Sequence, residues 1–323
     1  MSTRDVNPFF NENSGPELRE DWLDDTVESL APAQSLWADV PEPEFEGFKL
    51  SSLAGEGSFG LVYRAWDETL DREVAIKVLR ETVPDGRSKS TLSPRDRLLN
   101  EARALARVRH ENVPVVYSIL EPEPGIERPL ALVTEFIDGV PLSEVLEARG
   151  AVEETEAAAV AIELCRALAA VHDAGILHRD LKTDNVLREV GGRIVLMDFG
   201  ISLPLDEEEA FNFPQVAGSP LFMAPEQIRG RGMGPWTDVY GVGVVLYNLS
   251  SASYPVVSDN IADLVRRVRA GAIVPLSSRN SALSPDFVNI VSRCLERDPV
   301  RRYQGVGELE NDLRTLTRPL VAA

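Results

Sequence analysis

The chain has 323 residues, 44% of them hydrophobic, and a formal net charge of −19. That is enough apolar material for a sizeable core in one to three domains. So negative a chain is not expected to bind nucleic acid or an anionic membrane nonspecifically. Two cysteines and three histidines argue against a disulfide framework and a zinc site, and favour buried thiols in a reducing compartment. No apolar run approaches the ~20 residues of a membrane span and no signal-peptide pattern is present, so a cytoplasmic location is expected, although an anchor elsewhere stays open.

The first 46 residues form an acidic arm. They contain twelve acidic residues against Arg4 and Arg19, which accounts for −10 of the net charge, and they show no strand pattern. Two interpretations stay open. The arm is either a largely disordered tail with a transient helix, or it carries a short amphipathic helix that docks in cis on the folded domain or in trans on a partner. The second rests on apolar residues that recur near a helical period, namely Leu18, Trp22, Leu23, Val27 and Leu30.

A strand is predicted over residues 49–53, and a glycine-rich turn follows it. Gly55, Gly57 and Gly60 form the pattern G-x-G-x-x-G, in which glycines let the backbone close over phosphate groups. The pattern alone is weak, because dinucleotide-binding folds share it and continue into a helix. Here residues 61–66 have the pattern of a second strand instead. The context therefore favours a hairpin that covers a nucleotide.

The next predicted strand, over residues 73–79, carries one lysine, Lys77, among apolar neighbours. A lysine that points inward from a buried strand needs a negative partner. Nucleotide phosphates would serve, and so would Glu101 in a predicted helix over residues 98–108. The alternative is that Lys77 lies exposed on an edge strand and that Glu101 is a solvated helix residue.

Two more strands are predicted over residues 113–120 and 130–136, before Gly139 and Pro141 interrupt the chain. The remainder is mostly helical. Apolar spacing and capping residues predict helices over 142–149, 153–174, 236–250, 260–270, 284–296 and 306–316.

The reactive side chains concentrate between these helices. Residues 178–185 read HRDLKTDN, and residues 198–200 read DFG after an apolar strand over 194–197. Phosphoryl transfer needs a carboxylate that accepts a hydroxyl proton and oxygen ligands that hold Mg²⁺ on the nucleotide phosphates. Either motif alone is weak evidence. The two in this order, with a strand between them, are strong evidence.

Over about residues 48–317 these motifs resemble bacterial members of the eukaryotic-like (Hanks-type) serine/threonine protein kinases. The resemblance implies an α+β fold of two lobes. A mainly β N-lobe with one key helix would span residues 47–138, and a larger, mainly α C-lobe would span 139–318, with a tail over 319–323. It also implies transfer of the γ-phosphoryl group of ATP to serine or threonine hydroxyls of a protein substrate.

The resemblance assigns roles residue by residue. Asp180 would be the base, Lys182 would stabilise charge on the transferred phosphoryl group, and the Ser219 hydroxyl would reach both. Asn185 and Asp198 would hold Mg²⁺, with Mn²⁺ as a substitute. Lys77 would contact the phosphates of ATP and pair with Glu101, and the ATP-binding set would comprise Leu53, Gly55, Gly57, Gly60, Val62, Ala75, Lys77, Thr134, Glu135, Ile137 and Leu187.

Three further residues are expected to be structural. By resemblance, Glu226 in the Ala-Pro-Glu motif forms a buried ion pair with Arg302. Asp238 accepts backbone hydrogen bonds from the catalytic loop. Small-molecule phosphotransferases usually lack the Ala-Pro-Glu segment, which disfavours that alternative.

The segment before this motif lacks a phosphorylation switch. Residues 203–218 contain no serine, threonine or tyrosine. The acidic run over 206–209 is either a solvated turn or a group of carboxylates that pairs with Arg179 and orders the loop without phosphorylation.

A kinase-like docking module without turnover is the remaining alternative. Such a pseudokinase predicts the loss of at least one of the four central residues, and the sequence retains them all: Lys77, Asp180, Asn185 and Asp198.

Overall fold

The computed structural model describes residues 43–57, 60–79, 93–122, 129–199, 203–204, 221–230 and 232–317. From Glu44 onwards these residues belong to one compact unit, in which a β-rich lobe precedes a helical lobe. The predicted two-lobed α+β fold is therefore confirmed. Among the described helices, none is long and apolar enough to cross a membrane.

The first lobe contains a sheet of five antiparallel strands: β1 (Phe48–Gly57), β2 (Gly60–Asp67), β3 (Arg72–Leu79), β4 (Val116–Leu120) and β5 (Ala131–Glu135). Their spatial order is β1-β2-β3-β5-β4. In this register Val62 lies opposite Lys77, and Ala75 lies opposite Thr134. Because Ala75 and Lys77 are two residues apart on β3, all four side chains share one face of the sheet.

Helix α1 of this lobe spans Pro94–Arg107 and packs on the sheet through buried Leu98, Ala102 and Leu105. It begins four residues before the predicted start at residue 98. The Ser93 hydroxyl accepts a hydrogen bond from Asp96 N at 3.1 Å, and Ser93 N donates to the Asp96 carboxylate at 3.3 Å. This reciprocal cap, with proline in the first turn, fixes where the helix starts.

The second lobe consists mainly of helices: α2 (Leu142–Arg149), α3 (Glu154–Asp173), α4 (Pro225–Arg229), α5 (Pro235–Ser251), α6 (Ile261–Ala270), α7 (Leu276–Arg279), α8 (Pro285–Cys294) and α9 (Val306–Leu316). The six predicted helices appear within two residues of their predicted ends. The two short helices α4 and α7 were not predicted, because four or five residues are too few to show a helical period.

Helix α5 is the central helix of this lobe and is buried over nearly its whole length. Two of its glycines allow close packing. A Cβ atom at Gly241 would lie 2.6 Å from the Leu181 Cβ, and one at Gly243 would lie 2.6 Å from the Cys294 Cβ. The first contact brings α5 directly beneath the loop that carries Asp180.

Short strands accompany the helices of the second lobe. Strands β6 (Gly139–Pro141), β8 (Val186–Glu189) and β9 (Ile194–Leu196) form a small sheet in the order β6-β8-β9, and β7 (Ile176–Leu177) pairs with β10 (Leu203–Pro204). Only β9 was predicted. The others have two to four residues, and a segment this short carries no reliable alternation of polar and apolar side chains.

Both cysteines, Cys165 and Cys294, are buried free thiols, as predicted. Burial raises the pKa of each thiol well above its ordinary value. Such thiols are poorly reactive, because the thiolate is the nucleophilic form.

Candidate active site

An ion-pair cluster lies on the cleft face of the sheet, where β3 meets α1. Lys77 Nζ donates to Glu101 Oε2 at 2.7 Å and to Glu101 Oε1 at 2.9 Å, and it lies 3.3 Å from Asp198 Oδ1. The predicted Lys77–Glu101 pair is therefore confirmed. The alternative of an exposed edge-strand lysine is wrong, since β3 is the middle strand of the sheet.

Burial and charge shift the pKa of each group in this cluster. Burial alone would lower the pKa of Lys77, but the carboxylates of Asp198 and Glu101 reverse the effect and raise that pKa. The nearby Lys77 ammonium lowers the pKa of Asp198 against the opposing effect of burial. Burial raises the pKa of Glu101, and Lys77 offsets part of that increase. The cluster thus places one ammonium group between two carboxyl groups and favours the ionised forms of Lys77 and Asp198.

The catalytic loop brings three of the predicted residues together. Asn185 Nδ2 donates to Asp180 Oδ2 at 2.9 Å and to the Asp180 carbonyl at 2.8 Å. Lys182 Nζ lies 3.4 Å from the same carboxylate oxygen. A single turn of 3₁₀-helix, Thr183–Asn185, bends the chain back so that the amide reaches the aspartate. The Asp180 carboxylate is therefore flanked by one cation and one amide donor.

The backbone is strained at two places in the site, one in the catalytic loop and one just after β9, and the catalytic loop is firmly anchored. Arg179 has φ +70° and Asp198 has φ +60°, a left-handed conformation that costs non-glycine residues on the order of 1 kcal/mol or more. Asp238, on α5, accepts hydrogen bonds from Arg179 N at 2.8 Å and His178 N at 3.0 Å. The predicted role of Asp238 is confirmed.

Asp238 also lies 2.8 Å from His172 Nε2, so its two carboxylate oxygens meet three partners. Burial alone would raise the pKa of Asp238, but the His172 hydrogen bond, both histidines and the loop backbone lower it below its ordinary value. An ionised carboxylate beneath the loop is the acceptor that both backbone N–H groups require.

His178 links the catalytic loop to the strand that precedes Asp198. Its Nε2 lies 3.0 Å from the Met197 carbonyl, and its ring meets Phe199 edge to face at 4.8 Å between centroids. Sequence reasoning did not find this link. The two carboxylates predicted to act on the nucleotide and on the acceptor hydroxyl thus sit on segments that are joined directly.

The predicted ATP-binding residues occupy both sides of the cleft. Val62, Ala75, Thr134 and Lys77 line the sheet face described above, whereas Leu187 lies on β8 in the second lobe. The rest surround them: Leu53 and Gly55 on β1, Gly57 and Gly60 at the turn between β1 and β2, Glu135 at the end of β5, and Ile137 just after it.

Two positions in this set make close contacts with the protein backbone. A Cβ atom at Gly60 would lie 2.0 Å from the Val78 carbonyl oxygen, so only glycine fits. Glu135 N donates to the Val115 carbonyl at 2.8 Å, and the Glu135 carbonyl accepts from the Thr134 hydroxyl at 3.3 Å.

Behind the segment that connects the two lobes lies a charge cluster that the sequence did not indicate. Arg193, just before β9, donates to Glu189 Oε2 at 2.9 Å, to Glu135 Oε1 at 2.8 Å and to the Glu111 carbonyl at 3.0 Å. The hydrogen bonds that Arg193 donates to Glu189 raise the pKa of Arg193 against partial burial, and Glu135 adds to the increase. One guanidinium thereby joins the two lobes behind the cleft.

The Ala-Pro-Glu segment is anchored as predicted. Arg302 Nη1 donates to Glu226 Oε1 at 2.7 Å, and Arg302 Nη2 donates to Glu226 Oε2 at 2.9 Å. The Thr237 hydroxyl donates to the same carboxylate at 3.0 Å. Ser219 and the acidic run over 206–209 lie outside the described residues.

Comparison with known proteins gives one family and a consistent set of relatives. Residues 48–311 match the family model described as "Protein kinase domain". A probable serine/threonine-protein kinase of Clostridium perfringens is 29% identical over 273 residues, which cover 84% of this chain and 38% of that protein. The serine/threonine-protein kinase PknB of Mycobacterium leprae is 31% identical over 268 residues, with 82% and 42% covered. The serine/threonine-protein kinase PksC of Streptomyces coelicolor is 31% identical over 284 residues, with 85% and 50% covered. The matched region thus spans half or less of the length of these relatives.

Proposed function

The chain belongs to the protein kinase domain family, and we propose that it is an ATP-dependent kinase that phosphorylates serine or threonine hydroxyls of proteins. The observation that carries the proposal is that charged side chains from both lobes meet at the cleft. Lys77 on the sheet contacts both Glu101 and Asp198, while Asp180 lies on the loop that His178 joins to the Asp198 segment. Phosphoryl transfer requires this combination of fixed charges and a hydroxyl-directed carboxylate.

In this proposal Asp180 accepts the proton of the substrate hydroxyl as the hydroxyl oxygen attacks the γ-phosphorus. The bond from the γ-phosphorus to the β,γ-bridging oxygen breaks, and ADP is the leaving group. Lys182, beside it, stabilises negative charge on the phosphoryl group in transit. By resemblance, the Ser219 hydroxyl would reach both side chains. Asn185 orients the Asp180 carboxylate through the hydrogen bond described above.

Asn185 and Asp198 supply an amide oxygen and a carboxylate, the hard oxygen donors that Mg²⁺ prefers, with the substrate phosphates as further ligands. The donor set therefore fits Mg²⁺, and Mn²⁺ is a chemically reasonable substitute. When bound, the ion would neutralise charge on the transferred phosphates.

ATP would lie between the two lobes. We assign the adenine to the apolar surface formed by Val62, Ala75 and Leu187, with Thr134 behind it and the backbone of Glu135 and Ile137 at its edge. Leu53 and the glycines of the turn between β1 and β2 would cover the phosphates, and Lys77 would contact them. Burial of the flat purine on the apolar residues would contribute a few kcal/mol of affinity.

The Glu226–Arg302 pair supports a protein rather than a small molecule as the phosphate acceptor, because it fixes the end of the peptide-binding segment in the helical lobe. The acidic arm over residues 1–46 is proposed to bind this domain or a partner protein. Deletion of the arm, followed by kinetic and binding measurements, would test that role.

The main test is metal-dependent transfer of radiolabelled γ-phosphate to casein or myelin basic protein, with Asp180→Asn as the control. We expect phosphoserine and phosphothreonine, no phosphotyrosine, and no transfer after chelation of the metal. Nucleotide binding without transfer would instead indicate a docking module, and transfer restricted to small molecules would indicate a phosphotransferase. A phosphoproteomic comparison with the same variant would identify substrates.

A further inference from the structure

Gln227 is a buried side chain that the proposed reaction does not use. It lies on the short helix α4, with 3% of its surface exposed. Its Nε2 donates to the Arg179 carbonyl at 2.8 Å, and its Oε1 accepts from Ala224 N at 2.9 Å. One end of the amide therefore donates and the other accepts, which fixes its orientation.

The Arg179 carbonyl belongs to the peptide group that precedes Asp180. In that same peptide group, Asp180 N donates to His178 Nδ1 at 3.3 Å. Arg179 itself is held in the left-handed region by the contact from its N–H to Asp238. Rotation of the peptide group would break the hydrogen bond to Gln227 and the one to His178 together.

The direction of this peptide plane sets where the Asp180 side chain leaves the chain. A peptide plane held on both sides keeps the carboxylate aimed at one place in the cleft. A freed plane would let a strained residue relax and turn the carboxylate away.

Gln227 and its neighbour Glu226 tie residues 221–230 to two different parts of the molecule. Glu226 binds Arg302 in the body of the helical lobe, whereas Gln227 reaches the catalytic loop. Displacement of residues 221–230 would therefore withdraw Gln227 from Arg179.

We propose that Gln227 is a positioning residue for Asp180, one that couples the placement of the peptide-binding segment over 221–230 to the direction of the catalytic carboxylate. The coupling rests on the proposed function of Asp180 as the base. It makes Asp180 competent when this segment is in its place, with no contact between Gln227 and the nucleotide.

Glutamine suits position 227 better than residues of similar size or chemistry. Methionine has a similar length but neither donates nor accepts strongly. Glutamate can still accept from Ala224 N, but it would place an oxygen against the Arg179 carbonyl. Asparagine is one methylene too short to reach both partners. Glutamine satisfies both groups without a change of protonation state.

A matched control exists far along the chain. Asn280 Nδ2 donates to the Ser250 carbonyl at 2.9 Å, and its Oδ1 accepts from Ala282 N at 3.0 Å. Asn280→Leu thus removes the same pair of hydrogen-bond types at a position that is not part of the proposed site.

The experiment compares Gln227→Met, Gln227→Glu and Asn280→Leu with the unaltered chain, with kcat corrected for the folded fraction. We expect kcat to fall about 100-fold in both Gln227 variants, a loss typical of a misplaced catalytic group, with the KM for ATP within about two-fold of its original value. Asn280→Leu should lower the melting temperature and leave the corrected kcat unchanged. If the Gln227 variants lose activity only in proportion to the folded fraction, the assignment is wrong.

Amide hydrogen exchange separates this proposal from the proposed activity. Exchange at the Asp180 amide should be faster in Gln227→Met and unchanged in Asn280→Leu. If the unaltered chain transfers no phosphate, the kinase assignment fails, yet this exchange measurement still decides the coupling. Equal exchange in Gln227→Met and the unaltered chain would overturn it.

Discussion

Each lobe contains a glutamate paired with a cation distant in sequence, but the two pairs differ in their surroundings. In the first lobe Glu101 binds Lys77, whose side chain is 24% exposed in the cleft. In the second lobe Glu226 binds Arg302, whose side chain is 0% exposed. Lys77 also contacts a second carboxylate, that of Asp198.

The difference is one of geometry as well as burial. The Arg302 guanidinium meets both oxygens of Glu226 with two parallel hydrogen bonds and donates through Nε to the Glu296 carbonyl at 2.7 Å. Such a bidentate contact fixes the relative orientation of the two side chains. The Lys77 ammonium is a point charge shared between two carboxyl groups. It can turn towards a phosphate and still keep its contact with one of them. We infer that the first pair serves the reaction and the second serves the structure.

The largest expected effect follows from breaking the first pair. Lys77→Ala should lower kcat by a factor of about 100 or more, because it removes charge stabilisation in the transition state. Asp180→Asn and Asp198→Asn should do the same through the base and the metal ligand. Steady-state phosphorylation assays would measure the loss, and circular dichroism would verify that each variant is folded. Turnover close to normal in folded Asp198→Asn, with Mg²⁺ present, would refute the site assignment.

Breaking the second pair should act on stability. Glu226→Ala or Arg302→Ala strands a buried charge, at a cost on the order of 3–5 kcal/mol in the free energy of unfolding. The double variant should lose less than the sum of the two. Denaturant unfolding of all four proteins measures this cycle. Arg302→Lys sharpens the test, since it keeps the charge, loses the bidentate contact and should still destabilise. Strict additivity would argue against direct coupling.

The Arg193 cluster should show an intermediate effect, because it joins the lobes without contacting the proposed reactants. Arg193→Met would remove hydrogen bonds to Glu135 and to Glu111, and loss of about 1 kcal/mol would raise the KM for ATP about five-fold. The matched control is Arg314→Met, since Arg314 pairs with Glu310 on the surface of α9. An equal KM in the two variants would mean that the cluster does not influence nucleotide binding.

The smallest expected effect concerns a half-buried carboxylate in the first turn of α6. Hydrogen bonds from Ser258, Arg266 and Arg267 lower the pKa of Asp263 from 3.8 to about 2. Since the folded-state pKa lies below the unfolded one, this contribution to stability is present above pH 3.8 and is lost as the pH falls towards about 2. Asp263→Asn should therefore lower the melting temperature by about 1 °C at pH 7. Melting curves between pH 7 and pH 2 should show the two proteins converging. A constant difference across that range would exclude the ionised carboxylate as the cause.

Local sequence patterns determined much of the fold and the outline of the site. The helical periods of α2, α3, α5 and α9 are long enough to predict each helix within two residues. The spacing of residues 178–185 and 198–200 placed the proposed base and metal ligands on a loop and after a strand. The resemblance correctly predicted the Lys77–Glu101 and Glu226–Arg302 pairs, although their members lie 24 and 76 residues apart. The domain boundaries and the role of the acidic arm stay predictions.

Tertiary structure alone decided the contacts that have no local pattern. Arg193 meets Glu135 across 58 residues, and Gln227 meets Arg179 across 48. Neither pair has a periodicity or a characteristic spacing, so no segment of sequence marks them. The short strands β6 and β8 form only because the connection between the lobes lies beside the catalytic segment. Each of these features depends on where the folded chain places distant residues, and a backbone carbonyl such as that of Arg179 meets Gln227 only because the fold brings the two segments together.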